Sequence, residues 1–315
     1  MQQYLARRLL VGVLVIFVVS VAAFASMQLV PADAVDIMLG LRSTPEAAAA
    51  LRHKLGLDLP PTQRYLRWLG RLLRGDLGES LLTEEPVAHT IRQRLPVTME
   101  LAFLATLIAT ALGMPAGVIA AVRQYSTVDQ VTTAVSLLGL SIPHFWLATL
   151  LMLGFSMAWH LLPPGGLLPG ALEDPGGNLK RMVMPALSMG LPSAAIYFRM
   201  TRSSMLEVIH SDYMTTAYAK GLTERRAVLV HAMKNALLPV VTVAGLEITS
   251  MLGGSFIIES IFSLPGLGRA TVQAILQRDY TVLQGSVLVY SLVVVIVNIG
   301  IDLVYAWLDP RIRYE

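Results

Sequence analysis

Residues 211–239 read SDYMTTAYAKGLTERRAVLVHAMKNALLP, and this polar, basic stretch separates two apolar segments of the chain. Ser211 or Asp212 can cap a short helix, because a side-chain oxygen at this position accepts a hydrogen bond from a free backbone N–H group. Gly221 would end that helix, since glycine readily adopts the left-handed conformation found at helix C-termini. Thr223 can cap a second helix. The stretch, which we call the elbow, therefore predicts two helices joined by a sharp turn.

The surface of the elbow is predicted to be shallow near its turn, where Ala217 and Ala219 leave room for a close neighbour. Such a surface suits docking into a groove on another protein. The alternative is a loop on the membrane surface whose arginines meet anionic lipid. Periodicity leaves both interpretations open.

The composition indicates a membrane protein. The 315 residues are 55% hydrophobic and 14% charged, whereas soluble domains carry about 25% charged residues. Four long runs contain no charged residue, and each reaches the roughly 20 residues that cross the hydrocarbon core of a bilayer. Two weaker segments complete an all-α arrangement of six spans. The predicted spans are 9–30, 98–122, 131–162, 182–201, 236–258 and 281–305.

The first and third spans each have an alternative. The first starts like a signal peptide, with Arg7-Arg8 and an apolar core, but its apolar run continues to Val30 and predicts an uncleaved anchor. The third could contain two helices. Residues 163–180 hold four Pro and five Gly and are predicted to form a loop. Because too few residues remain for two crossings, one long helix kinked at Pro143 is expected.

Lysine and arginine counts predict the orientation of the chain. With six spans, the inner segments carry eleven Lys and Arg, and the short outer loops carry four. Cytoplasmic loops are the richer in these residues, so both termini are expected in the cytoplasm. Residues 31–96 then lie outside, because a segment of that length crosses largely regardless of its charge.

Residues 31–96 are predicted to form a small helical region outside the membrane. Thr44 caps a first helix that stops at Gly56, and a second helix follows Pro60-Pro61. The second helix either lies on the lipid headgroups or packs on the bundle with a solvated basic face, and its pattern fits both. Its apolar face holds Tyr65, Leu66, Leu69, Leu72 and Leu73, and its basic face holds Arg64, Arg67, Arg71 and Arg74.

Three side chains within the spans are candidates for a polar translocation pathway, because polar groups are costly in the bilayer. Glu247 lies near the middle of the fifth span, and Glu100 lies near the outer end of the second. Asn298 lies in the sixth span, one turn before Asp302. The alternative for each acid is a buried carboxylate that pairs with a Ser, a Thr or the backbone of a neighbouring helix.

The string Thr215-Thr216-Ala217-x-x-x-Gly221 resembles the EAA loop of ABC importer permeases, the coupling helix that docks into an ATP-hydrolysing subunit. Its continuation to His231-x-x-x-Asn235-Ala236-x-x-Pro239 is similar to the dipeptide/oligopeptide/nickel permease family. Thr215 stands where the acid that names the motif would be, and the distance from Gly221 to Pro239 is longer than in the general pattern; both departures are usual in this branch. Further strings that resemble the family follow one another along the whole chain. They are Tyr4-x-x-Arg7-Arg8-Leu9, Leu55-Gly-Leu-Asp58-x-Pro60, Gly75-Asp76-Leu77-Gly78-x-Ser80, Arg94-Leu95-Pro96-x-Thr98, Gly253-Gly254-Ser255, Phe262-Ser-Leu-Pro265-Gly-Leu-Gly268-Arg269, Arg278-Asp279-Tyr280 and Leu308-Asp309-Pro310-Arg311-Ile312-Arg313-Tyr314.

The resemblance implies a type I ABC importer permease fold in three parts. Residues 1–30 hold the first span, 31–96 form the periplasmic region, and 97–315 form a five-helix core with a cytoplasmic coupling loop at about 202–235. The residues expected to couple to the ATPase are Asp212, Tyr213, Thr215, Thr216, Ala217, Ala219, Lys220, Gly221, Arg225, His231, Asn235 and Pro239. Contact with a solute-binding protein is expected at Leu264, Pro265, Gly266, Leu267, Gly268 and Arg269.

The resemblance also implies partners: a second permease of similar fold, two cytoplasmic ATPase subunits, a periplasmic or lipid-anchored solute-binding protein and membrane lipid, but no nucleic acid. The sequence has no G-x-x-x-x-G-K-[ST] phosphate loop. ATP and Mg are therefore expected on the ATPase subunits, with no cofactor and no catalysis in this chain. The implied location is a bacterial inner membrane. Peptides are the commonest cargo of the family, and nickel, a nickel chelate or glutathione is the alternative.

Two other classes fit the sequence less well. An intramembrane enzyme would carry an H-E-x-x-H zinc helix or a serine–histidine set, and neither is evident in the spans. A secondary transporter often shows inverted repeats, which are also not evident. His144 and His160 are expected to be core or interface residues. With no cysteine in the chain, thiolate ligands are excluded, and no metal site is predicted.

Overall fold

A computed structural model describes residues 2–28, 44–46, 49, 53, 58–170 and 172–308. All named elements in these ranges are helices, as predicted. They are α1 (Gln2–Gln28), α2 (Pro61–Leu72), α3 (Val87–Val122), α4 (Thr127–Ser141), α5 (His144–Leu151), α6 (Pro175–Ile209), α7 (Asp212–Ala219), α8 (Glu224–Arg226), α9 (Met233–Ile261), α10 (Leu267–Gln277) and α11 (Tyr280–Leu308). Two π-helical segments, Met152–Ala158 and Ala227–Ala232, extend α5 and join α8 to α9. Most of the helix predicted after Thr44, and the terminal string after Leu308, lie outside the described residues.

Four helical stretches are long and apolar enough to cross a bilayer. They lie within α1, along α3, from α8 to the end of α9, and within α11. A bent pair of helices, Thr127–Ser141 and His144–Ala158, adds a fifth if the two together form a single span. Length and composition therefore indicate four or five spans among the described residues, and the predicted count of six is not confirmed.

The third predicted span is not one kinked helix. Its two halves meet at an angle of 98°. Ile142 has an extended backbone, with φ −91° and ψ 117°, because the ring of a following proline disfavours the helical conformation. The carbonyl of Pro143 then accepts a hydrogen bond from Trp146 N at 3.0 Å and starts the next helix. The expectation of a kink was therefore wrong, since the chain ends one helix and begins another.

The fourth predicted span lies inside α6, a helix of 35 residues. The structure corrects the expectation that residues 163–180 form a loop throughout. Asp174 caps α6 by accepting a hydrogen bond from Gly177 N at 2.9 Å, and Pro175 occupies the first helical position. Most residues of α6 from Met182 to Met205 are buried. Because protein rather than lipid surrounds this helix, it tolerates more polar residues than the candidate spans do.

Close approach of α3 and α6 forms the centre of the bundle. A methyl group on Gly113 would lie 2.4 Å from Ala194 O, and one on Gly117 would lie 2.8 Å from Phe198 O. Small residues at such contacts allow membrane helices to pack at short distance. α3 begins at Val87 and runs through the expected boundary between residues 96 and 97, so residues on both sides of that boundary share one helix. The buried side chains around this contact include Leu101, Ala105, Ala109, Met182, Met184, Met189, Tyr197, Met251 and Ile258.

Candidate functional site

The elbow forms the predicted helix, turn and second helix. After α7, Gly221 has φ +79°, which lies in the left-handed region. Its backbone N–H group donates to Tyr218 O at 2.9 Å, and Leu222 N donates to Ala217 O at 3.4 Å. These two bonds form a Schellman motif, which satisfies carbonyl groups at the helix C-terminus. The turn is therefore held by the backbone at a position that favours glycine.

A side-chain hydrogen bond and an apolar cluster make the elbow one packed unit. Asn235 Nδ2 donates to Tyr213 Oη at 2.9 Å, which joins two predicted coupling residues that lie 22 positions apart. Beneath this bond, the cluster attaches the elbow to the ends of α3, α6 and α9. The buried members of this elbow core are Ala121, Met205, Met214, Ala227, Val228, Ala232 and Ala236.

The solvent-facing side of the elbow exposes nearly all of the predicted coupling residues. Ala217 is the exception, because it is buried on the same side of α7 as Met214. Its small size serves inward packing, so the expectation that it shapes the outer surface was wrong. Ala219 does shape that surface. The exposed residues are Asp212, Tyr213, Thr215, Thr216, Ala219, Lys220, Gly221, Arg225, His231, Asn235 and Pro239.

The expected side-chain caps of the two elbow helices do not form. Ser211 Oγ donates to Val208 O, so this hydroxyl serves the end of α6 instead of the start of α7. Thr223 has the extended backbone of an N-cap residue, with φ −66° and ψ 146°, but its side chain makes no capping hydrogen bond. The bends at both positions therefore arise from backbone conformation and from packing on the elbow core.

At the opposite ends of α3 and α9, a buried carboxylate holds the start of α10. Glu259 is fully buried. Its Oε1 accepts from Thr98 Oγ1 at 2.7 Å, and its Oε2 accepts from Arg269 N at 2.7 Å. Thr98 Oγ1 also accepts from Leu267 N at 2.9 Å. We call Thr98, Glu259 and these two N–H groups the Glu259 cluster. A carboxylate is well placed at the N-terminus of α10, where the helix dipole favours negative charge.

Sequence reasoning missed Glu259, although a signal was available. It lies one residue beyond the predicted fifth span, and an acid at the end of an apolar run is itself a candidate for a special role. Its partner Thr98 is 161 residues away in sequence. That pairing depends on how α3 and α9 pack, which the local pattern does not show.

A second buried acid ties the segment before α3 to the start of α11. Asp279 accepts hydrogen bonds from Ser80 Oγ, from Leu81 N at 3.3 Å and from Val282 N at 3.2 Å. The strings that end at Ser80 and centre on Asp279 were recognised only by resemblance. In the structure they form one contact, which gives both a physical role.

The segment expected to contact a binding protein is mostly buried. The side chains of Leu264 and Leu267 have no exposed surface. Gly266 and Gly268 pack against Glu259, and a methyl group on Gly266 would lie 2.3 Å from the Glu259 carboxyl carbon. The two leucines are therefore unavailable as contact residues in this conformation. Pro265 and Arg269, from the same predicted set, are partly exposed.

The three candidate pathway residues do not converge on one site. Glu247 Oε2 accepts from Ser193 Oγ at 2.7 Å, and Glu100 Oε2 accepts from Asn178 Nδ2 at 3.4 Å. Both partners belong to α6, and their separation along the helix is about 22 Å at 1.5 Å per residue. Asn298 is exposed on α11. Glu247 is half-buried at mid-helix depth, and its bond to Ser193 is the pairing expected as the alternative to a pathway role, which stays a prediction.

Asp302 and His144 each have a polar neighbour, whereas His160 is exposed. Asp302 pairs with Arg8 of α1 at 2.9 Å, so its partner is a charged side chain and not the Ser, Thr or backbone group expected as the alternative. His144 Nδ1 lies 3.3 Å from Ser188 O. Within the described ranges, no group of three His, Cys, Asp or Glu residues could hold a metal ion.

Known proteins resemble this chain over its whole length. Residues 113–314 match the model of the binding-protein-dependent transport system inner membrane component, and residues 1–102 match an N-terminal model of such membrane components. The dipeptide transport system permease protein DppB of Escherichia coli (strain K12) is 39% identical over 338 residues. The di/tripeptide transport system permease protein DppB of Pseudomonas aeruginosa (strain UCBPP-PA14) is 40% identical over 335 residues. A putative peptide transport system permease protein of Brucella abortus (strain 2308) is 40% identical over 315 residues. Each match covers 100% of both chains.

A solved structure shares the fold. A chain of the MetNI methionine ABC transporter, in an inward-facing conformation, aligns with a TM-score of 0.57 and 16% sequence identity. The alignment covers 70% of this chain and 96% of that chain. At this identity the likeness concerns the fold alone.

Proposed function

Because the chain belongs to the family of binding-protein-dependent transport system inner membrane components, we propose that it is the permease subunit of an ATP-driven peptide importer. The full-length relatives named above are dipeptide, di/tripeptide and peptide permeases, which favours peptides over the nickel alternative. The observation that carries the proposal is the elbow. It presents an exposed face with a small residue at its turn, and it packs directly on three long helices.

The elbow is the site at which cytoplasmic ATPase subunits push on this chain. Its outer face contains Thr215, Thr216 and Ala219 with cationic Lys220 and Arg225 beside them. A groove of acidic and apolar character would complement this face. ATP and Mg are bound by the ATPase subunits, and the residues of this chain transmit the resulting movement.

Two helices connect the elbow to the Glu259 cluster. On α3, Ala121 of the elbow core and Thr98 of the cluster are separated by about 35 Å at 1.5 Å per residue. On α9, Ala236 and Glu259 are the same distance apart. This length exceeds the ~30 Å hydrocarbon core. Movement of the elbow therefore tilts both helices and displaces the opposite end, which is a rigid-body transition of the kind that nucleotide state controls.

The complex that this mechanism requires contains a second permease of similar fold, two ATPase subunits and a solute-binding protein. The elbow and both termini lie in the cytoplasm of a bacterium, and the Glu259 cluster lies at the periplasmic side. The binding protein docks near α10, where Arg269 and Pro265 are accessible. The pathway runs between the two permeases, and Glu247 contributes a polar group to it.

The test is ATP-driven uptake of a labelled dipeptide by proteoliposomes that contain the assembled complex. Ala219→Glu should lower uptake by at least about tenfold, because a charge forced into a docked interface costs 1.4 kcal/mol or more. Ala88→Glu is the matched control, since Ala88 is equally exposed and lies in the first turn of α3, at the opposite end. The control should keep wild-type uptake.

Two outcomes would count against the proposal in different ways. Equal uptake by the two variants would show that the elbow is not the docking site, while the transport assignment would survive. Absence of ATP-dependent dipeptide uptake by the wild-type complex, with its binding protein present, would overturn the assignment itself. Because the chain has no cysteine, Thr216→Cys also offers a unique point for crosslinking to the ATPase.

A further inference from the structure

The amphipathic helix α2 is attached to α1 at a definite depth. Tyr65 Oη lies 2.8 Å from Ser20 Oγ. The rings of Tyr65 and Trp68 pack on Phe24, with centroids 5.4 and 6.1 Å apart. Ser20 lies six residues before Ser26, where the membrane-spanning stretch of the described part of α1 ends, which is about 9 Å of helix rise. α2 therefore packs on the C-terminal part of this stretch through Tyr and Trp, the residues enriched where the hydrocarbon core meets the headgroups.

Only part of the apolar face of α2 is used in this attachment. At 100° per residue, Tyr65, Trp68 and Leu72 point toward α1, and Leu66 and Leu73 lie beside them on the same half of the helix. Leu66 is 64% exposed and Leu73 is 81% exposed. Exposure of two leucines next to an aromatic contact leaves an apolar surface that water would not favour.

This surface continues onto α1. Phe17, Val18 and Val21 are also exposed, and they belong to a helix that is apolar enough to cross a bilayer. The opposite half of α2 is basic, and Arg67, Arg71 and Arg74 are all exposed there. An apolar half that adjoins a membrane-spanning surface, with arginines on the other half, is the arrangement of a helix that lies in the plane of the membrane interface.

We propose that α2 is a lipid-binding anchor, with Leu66 and Leu73 in the acyl-chain boundary and Arg67, Arg71 and Arg74 on lipid phosphates. The occupant of this surface is the leaflet at the C-terminal end of α1. α2 packs on α1 with one part of its apolar face, and in this proposal the other part contacts lipid. This inference concerns membrane attachment and does not depend on the cargo.

Single cysteines can test the proposal directly, because the chain has no cysteine of its own. Leu66→Cys and Leu73→Cys are spin-labelled in the full chain, in nanodiscs of phosphatidylcholine and phosphatidylglycerol. Gln63→Cys is the matched control, since Gln63 is exposed on the polar half of the same helix. Labels at Leu66 and Leu73 should collide more with oxygen, which dissolves in lipid, than with a water-soluble nickel complex. The label at Gln63 should show the reverse order.

Two results would overturn the anchor. The first is water-like collision at all three positions. The second is protection of the labels at Leu66 and Leu73 from both reagents in the assembled transporter, prepared with cysteine-free companion subunits. Protein would then cover this face in place of lipid. For the arginines, the Leu66 label should lie deeper with phosphatidylglycerol than without it. Replacement of Arg67, Arg71 and Arg74 by Gln should abolish that difference. Equal depth in both lipids for the wild-type arginines would refute their phosphate contacts.

Discussion

The Glu259 cluster predicts a large loss of stability from a small change, Thr98→Val. Valine has nearly the shape of threonine, so the packing of the fully buried Thr98 side chain is retained. The substitution removes the hydroxyl that donates to Glu259 and accepts from Leu267 N. Loss of a hydrogen bond to a charged group costs about 1.5–3 kcal/mol, and an unsatisfied buried N–H group costs about 1–3 kcal/mol. We expect the free energy of unfolding to fall by about 3–5 kcal/mol.

The assay is reversible unfolding of the purified chain by SDS in mixed micelles, followed by tryptophan fluorescence and helical circular dichroism. Thr106→Val is the matched control, because Thr106 lies two turns further along α3. Its hydroxyl donates to Ala102 O within the helix and approaches the Met251 sulfur at 3.6 Å. Thr106→Val does not leave a buried N–H group without an acceptor, as Thr98→Val does at Leu267 N. The control should therefore change the unfolding free energy by less than about 1 kcal/mol.

A double-mutant cycle with Glu259→Gln separates the cluster from general effects of either substitution. Because Thr98 and Glu259 share one hydrogen bond, the double variant should lose less than the sum of the two single losses. If Thr98→Val proved no more destabilising than Thr106→Val, the assignment of Glu259 as a buried tie between α3, α9 and α10 would be wrong.

Three further changes test other contacts of the fold. Gly117→Ala should lower the free energy of unfolding by about 1–3 kcal/mol, because the added methyl group would overlap the backbone of α6. At Gly253 the same methyl group would meet open space, so Gly253→Ala should be neutral or stabilising in the same unfolding assay. Gly221→Val should cost about 1–2 kcal/mol more than Gly221→Asn, since asparagine tolerates the left-handed backbone that valine resists; equal stability of the two variants would contradict the turn geometry. Asp302→Asn should weaken the attachment of α1 by about 1 kcal/mol through loss of its pair with Arg8, and protease cleavage after α1 should become faster; an unchanged cleavage rate would argue against that pair.

The parts of the fold that rest on local chemistry could be predicted from the sequence. The end of α7 and the left-handed Gly221 follow from a single glycine after a short helix-forming run, and the structure confirms the turn. The resemblance drawn from Thr215, Thr216 and Gly221 to binding-protein-dependent permeases is also confirmed. These features depend on neighbours within a few residues, which a sequence displays directly.

The parts that failed depend on distant contacts or on competing local signals. The 98° break lies at Ile142-Pro143, which is a local signal, but the apolar run was assigned to one helix because too few residues remained for two crossings. Asp174-Pro175 is a helix start, but the surrounding glycines led to the prediction of a loop. Leu264 and Leu267 were expected to contact a solute-binding protein, but both are fully buried. Their burial follows from Glu259 and Thr98, whose meeting requires that α3 and α9 are already packed.

The two attachment points of α3 and α9 predict different consequences when each is weakened. The elbow core fixes Ala121 and Ala236 at one end, and the Glu259 cluster fixes the same two helices about 35 Å away. Ala219→Glu disturbs docking at the elbow, so it should reduce both transporter-stimulated ATP hydrolysis and dipeptide uptake. Thr98→Val leaves the elbow intact and loosens the far end, so hydrolysis should continue while uptake falls. If both variants lowered hydrolysis and uptake in the same proportion, movement at the elbow would not be passed to the far end through these two helices.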